Sequence, residues 1–264
     1  MIEQTLDITT PDGAMETFIC HPERGGPFSA VFLLMDAPGV REELRDMARR
    51  LGTTGYYVLL PNLYYRAGRD TIFGPTVLED GSPERARMRA VRTKMTIPPA
   101  MDDVAAMLAF VDGQKVIKQG PVGCHGYCMS GPYALAAAAR YPERIAAAAS
   151  YYGTWLVSDA EASPHLTLGR VKGELYIACA EHDDLAPLPN GRGAPPAVWR
   201  FRRRRRDRAL SRGSPRLRVS AALVLRQARR RAALGEANRP LPPPTGLIAA
   251  SGSSSKRMVN NHLR

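Results

Sequence analysis

The sequence predicts an α/β fold with a mostly parallel, doubly wound sheet entered through an antiparallel hairpin. Three observations predict it. Two continuous apolar runs, "AVFLLMD" and "YYVLLPN", flank one amphipathic segment. Strand and helix patterns then alternate through "GPVGCHG", "MSGPYALAAAARYP", "AAAASYYG" and "GELYIACA". The chain of 264 residues is long enough for one large domain, or for one domain and a tail. Helices on both faces of a parallel sheet bury its strands on both sides, and such strands read as unbroken apolar runs.

In chain order, "EQTLDITTPDGAMETFICHP" alternates on both sides of Pro11-Asp12-Gly13, a hairpin signal. "AVFLLMD" is the first buried strand, "REELRDMARRLGTTG" a helix closed by Gly52 and Gly55, and "YYVLLPN" the next strand. Residues 63–98 are irregular, with one helix opened by Ser82-Pro83, a hydroxyl cap followed by proline in the first turn. "AMDDVAAMLAFVDGQ" reads as a helix, and the four segments named above complete the alternation. No repeat recurs at a fixed period.

Beyond Pro189 the composition changes. Up to Leu188 the chain has 18 Lys and Arg against 23 Asp and Glu; from Pro189 onward it has 19 against 2. The formal net charge of +12 therefore belongs to the end of the chain and not to its body. Residues 1–188 are expected to form the domain. Residues 189–264, rich in Arg, Pro and Ala, bury too little apolar surface to offset their ordering entropy, and are expected to form a disordered tail.

No apolar run is long enough to span a bilayer, and the opening "MIEQTLDITTPDG" lacks the regions of a signal peptide, so the expectation is a cytoplasmic protein without a membrane partner. Four scattered cysteines, Cys20, Cys124, Cys128 and Cys179, read as reduced thiols.

The segment "VGCHGYCMSGPYALAAAARYPERI" carries the chemistry. It runs as a strand, breaks at Gly126 and resumes as a helix, which sets Cys128 on a sharp turn. Reacting groups of parallel α/β sheets sit beyond the carboxyl ends of strands, and a turn that lifts a nucleophile there needs small neighbours two positions away on each side. Gly126 and Ser130 meet that need. Ser130 fits the exposed position less well, since its own outer neighbours are Cys128 and Pro132. Cys124 lies inside the strand and reads as core. The amide of Met129 falls at a helix start, where it can hold an oxyanion.

Together, "GYCMSG", "MDAPGVREELRDMARRLGTTGYYVLLPNLYYR" and "AEHDDLAP" resemble the dienelactone hydrolase family of α/β-hydrolases, over residues 13–188 and in the family's order. The resemblance implies a hydrolase of lactone or ester bonds, carboxymethylenebutenolidase-like, with Cys128 as nucleophile and the amides of Met129 and Ala37 as oxyanion donors. Asp36 takes the place of a family glutamate that contacts the resting thiol, one methylene shorter here. Asp183, favoured over Asp184, matches the acid that orients the family's histidine. No metal and no cofactor is implied. The expected partner is a small lactone or ester, with anionic lactones included, and oligomeric state is left open. Arg66, Arg85, Arg87 and Arg89 lie in the irregular segment that could border the pocket and meet a substrate carboxylate, but a solvated charged face is the reading favoured for them.

The family's base is missing. It is a histidine that follows one further strand, and none of His21, His125, His165, His182 and His262 stands there. Read from the second base of each codon, with synonymous choices allowed, "ALSRGSPRLRVSAALVLRQ" can yield "LYPGVHHGFAFPQRWCYDK". The upstream and downstream segments can yield a strand and an amphipathic helix. A reading-frame change near 189–190 would account for the basic tail and for the missing last strand, histidine and helix. The alternative is a non-enzymatic protein whose tail binds nucleic acid. That tail offers only Trp199 and Phe201 for stacking and no recognisable module, so no specific nucleic acid is expected.

Overall fold

The computed structural model describes residues 1–69 and 71–179, and the backbone of 198–201. Its first strands, β1 (Ile2–Thr10) and β2 (Gly13–His21), pair antiparallel along their whole length, from Ile2 with His21 to Thr10 with Gly13. Gly13 has φ +130°, the left-handed backbone that the turn demands and that glycine adopts without a Cβ penalty. The hairpin read from Pro11-Asp12-Gly13 is present.

β2 also pairs antiparallel with β4 (Tyr56–Pro61), and from there the sheet is parallel through β3 (Ser29–Leu34), β5 (Val122–Tyr127), β6 (Ile145–Tyr151) and β7 (Glu174–Ala178). The strand order is β1-β2-β4-β3-β5-β6-β7-β8, where β8 is Val198–Phe201. The carboxyl ends of β3 and β5 are adjacent, Leu34 opposite Gly126, so the loops that follow them meet at one edge. β6 and β7 end along that edge too, with Tyr127 opposite Tyr151 and Tyr151 opposite Ala178.

Helices cover both faces. α1 (Glu42–Thr53) buries Leu44, Ala48 and Leu51, the i, i+4, i+7 stripe of an amphipathic helix, with Gly52 against Cys20 of β2. The opposite face receives α4 (Gly131–Arg140), whose alanine-rich turns are buried all round except at Arg140. Small side chains let it lie close on β5 and β6. α3 (Ile97–Asp112) packs beside α4 and against β1. α2 (Pro83–Arg92) opens at Ser82, whose hydroxyl accepts the Arg85 amide at 3.5 Å, with Pro83 in the first turn as its sequence suggested. No helix among the described residues is long and apolar enough to cross a membrane.

Within residues 189–264, expected to be largely disordered, Val198–Phe201 pairs antiparallel with β7, Leu175 opposite Phe201 and Ala178 opposite Val198. The segment "VWRF" has high β-propensity but is too short to carry a period, and β7 offers an unpaired edge for it. The rest of the tail lies outside the described residues, as do the proposed frame change and the nucleic-acid reading that depends on it.

Candidate active site

At the end of β5 the backbone turns through Cys128, which has φ +51°. A residue with a Cβ adopts that conformation only where its surroundings hold it. The holding contacts are visible. A short 3₁₀ turn, Cys128–Ser130, leads directly into α4. A Cβ at Gly126 would collide with the Ser130 carbonyl, its carbon only 2.5 Å away. The Ser130 hydroxyl is fully buried; it accepts the Tyr127 amide at 2.9 Å and lies 3.0 Å from the Leu34 carbonyl of β3. Ser130 therefore stitches the turn to the neighbouring strand end, and the rival reading of it as the exposed residue fails. The Thr154 amide donates to the Cys128 carbonyl at 3.1 Å, which ties the loop after β6 to the same turn. Close approach of α4 to that loop needs Gly131 and Gly153, since a Cβ on either would strike the Ser150 hydroxyl.

The four thiols differ. Cys20 and Cys124 are buried, and burial pushes each up to about 12, which leaves them inert near neutral pH. Cys128 and Cys179 are partly exposed.

Asp36 and Ala37 begin the loop after β3, both nearly buried. Both Asp36 oxygens are engaged by Arg41, whose two terminal nitrogens donate at 2.5 and 2.8 Å. Burial works against the Arg41 charge, and the carboxylate outweighs it, holding the guanidinium pKa above its ordinary value. The Tyr64 hydroxyl reaches the Ala37 carbonyl at 2.9 Å and the Met129 thioether at 3.1 Å, so the loop after β3 and the turn after β5 converge on one phenol. Burial pushes that phenol up. Tyr133, Asp36 and Cys128 act in the same direction and Arg92 opposes them, so all four lie within electrostatic reach of Tyr64.

Arg92, in the last turn of α2, stacks its guanidinium 4.4 Å from the Trp155 ring centroid. It opposes the burial that raises Tyr133 as well as that of Tyr64. The sequence reading missed it. The signal was present: Met88 and Val91 face the core, and Arg92 follows Met88 by one helical turn. The four arginines singled out instead have other tasks. Arg66 holds fully buried Asp103 with two 2.9 Å bonds, Arg85 pairs with Asp80, Arg87 lies over Phe73 and Arg89 is exposed.

Asp183 and its rival Asp184 lie outside the described residues. The described histidines are committed elsewhere. His21 stacks on Tyr57 with its Nδ1 2.8 Å from the Pro22 carbonyl, and His165 meets Ser163 at 2.8 Å. His125 is buried edge-on between Tyr127 and Tyr151, with no hydrogen-bond partner on either nitrogen among the described residues, and burial pushes it down to about 4.

Residues 15–193 match the model of the dienelactone hydrolase family. The chain belongs to the dienelactone hydrolase family. A Methylorubrum extorquens protein named "Putative carboxymethylenebutenolidase" is 30% identical over 162 residues, 61% of this chain; the chain spans 52% of that relative's length. A carboxymethylenebutenolidase of Pseudomonas putida is 25% identical over 193 residues, covering 72% of this chain and 75% of that protein. Among solved structures, the Klebsiella pneumoniae protein titled "Putative Dienelactone Hydrolase" superposes with a TM-score of 0.59 at 20% identity, covering 70% of this chain and 75% of the other. That likeness is one of fold, and it agrees with the predicted α/β-hydrolase architecture.

Proposed function

We propose that this chain cleaves lactone and ester bonds, in the manner of a carboxymethylenebutenolidase, with Cys128 as the nucleophile. The observation that carries the reading is the left-handed backbone at Cys128, on a strand-to-helix turn that only Gly126 allows, with the thiol partly exposed. The Cys128 sulfur attacks the substrate carbonyl, and the amides of Met129 and Ala37 receive the oxyanion. Collapse expels the leaving group and leaves a thioester on Cys128, which water then hydrolyses. Arg92 beside the Trp155 ring is the cation suited to an anionic substrate group.

Arg41 donates to both oxygens of Asp36, which orients that carboxylate at the end of β3. Asp183 would orient a histidine that this sequence does not supply at the required place. The consequence is kinetic. Acylation by an ester with a good leaving group needs no acid, whereas thioester hydrolysis needs a base to activate water. The chain as translated is therefore expected to acylate once and stall.

The test compares this chain with a frame-restored version, each with and without Cys128→Ala, on p-nitrophenyl acetate. The expected result is one equivalent of p-nitrophenolate from this chain, sustained turnover from the restored one, and neither after Cys128→Ala. Release that survives Cys128→Ala would contradict the reading, and nucleotide sequence unable to encode His-His-Gly-Phe in the neighbouring frame would contradict the frame change.

A further inference from the structure

We infer that Tyr64 is the positioning residue of the oxyanion site, its hydroxyl clasping the Ala37 carbonyl and the Met129 side chain so that the two amides are held at a fixed spacing. The inference rests on the nucleophile reading above, which supplies the roles of those amides. The geometry that carries it is independent of that reading. Ala37 belongs to the loop after β3 and Met129 to the turn after β5, and a single phenol, 1% exposed, touches both.

Tyr64 is itself rigidly held. Its amide donates to the Asn62 side-chain oxygen at 3.0 Å, while the Asn62 amide nitrogen donates to the Arg69 carbonyl at 2.8 Å. Its ring meets Phe73 edge-on at 6.1 Å. Because burial pushes the phenol up, the hydroxyl keeps its proton and can donate. The Ala37 carbonyl, the stronger acceptor, restrains the peptide that follows Ala37, one Cα away from the amide that would meet the oxyanion. The Met129 thioether, a weak acceptor, shares that single proton at 3.1 Å, so the same hydroxyl lies against the residue whose amide is the second donor. A loop two-thirds of the way from the hairpin to α2 thus sets a distance between two other loops, and oxyanion donors act only when that distance is preset.

The measurement is a ratio on the full chain. p-Nitrophenyl acetate acylates the Cys128 sulfur: the S–H proton passes to the buffer, the S–acyl bond forms, the ester C–O bond breaks, and p-nitrophenolate leaves. Iodoacetamide alkylates the same sulfur with loss of iodide and develops no oxyanion. Both rates are followed at the Cys128 peptide by mass spectrometry. Tyr64→Phe, which keeps the ring, is expected to slow acylation about tenfold, a fraction of what loss of a whole oxyanion donor costs, with alkylation unchanged within about twofold. Met129→Leu gives a second test with Tyr64 in place, and the ratio is expected to fall about threefold as the thioether contact is lost.

A Tyr64→Phe chain that keeps its ratio, or loses both rates together, overturns the inference, as does an unchanged ratio in Met129→Leu. Absence of any thioester at Cys128 in the unsubstituted chain overturns the nucleophile reading and takes this inference with it.

Discussion

Cys128 and Gly126 make their case together, because the turn that lifts one needs the absence of a side chain on the other. Gly126→Ala would drive a Cβ into the Ser130 backbone, which is anchored to two strands and cannot yield. The expected cost is about 2 kcal/mol in urea unfolding, with loss of Cys128 acylation. Arg41→Met would strand the nearly buried Asp36 carboxylate without its two donors. A loss of about 2 kcal/mol is expected, discounted from the buried-pair range because Arg41 keeps some contact with solvent. Denaturation of the single and double variants checks it, since Asp36→Asn should rescue Arg41→Met. At this scale the sharp turn at Cys128 and its small neighbours were legible in the sequence, because a tight strand-to-helix turn has a local spacing. The sequence could not reveal Tyr64 or the grip of Arg41 on Asp36. Tyr64 meets Ala37 and Met129 only through tertiary packing, and no local period encodes such a contact.

Among the elements, β5 combines two roles, since it leads into the turn at Cys128 and buries His125 in an aromatic face with Tyr127 and Tyr151. Burial alone pushes His125 from its ordinary value near 6.5 to about 4. A base with a depressed folded pKa is neutral when folded and takes up a proton on unfolding below pH 6.5. Its stabilising effect is therefore complete above that pH and is lost as pH falls toward 4. Between pH 7 and 5 the loss from this residue is about 2 kcal/mol. Urea unfolding of the wild type and His125→Phe at the two pH values should show that difference, and equal slopes would contradict it. The hairpin, the apolar strands and α1 through α4 were legible because each has a period and a boundary residue. β8 was not. Its four residues are too few for a period, and only the open edge of β7 gives them a partner.

For the whole molecule, the sequence already separated a body of mixed charge from an arginine-rich end, and the family match over residues 15–193 follows that division. The sheet brings the ends of β3, β5, β6 and β7 to one edge, so the loops that would carry the proposed site converge by topology. If that site lacks its base, a diffusible one should replace it in part. Imidazole is expected to accelerate release of the Cys128 thioester at least several-fold while leaving its formation unchanged, read from single-turnover traces. The measurement that bears most directly on the account is the site of acylation in the full chain after p-nitrophenyl acetate, mapped by peptide mass spectrometry. One acetyl group on Cys128, with none on Cys20 or Cys124, is the predicted result; an unmodified Cys128 in a folded chain would contradict it.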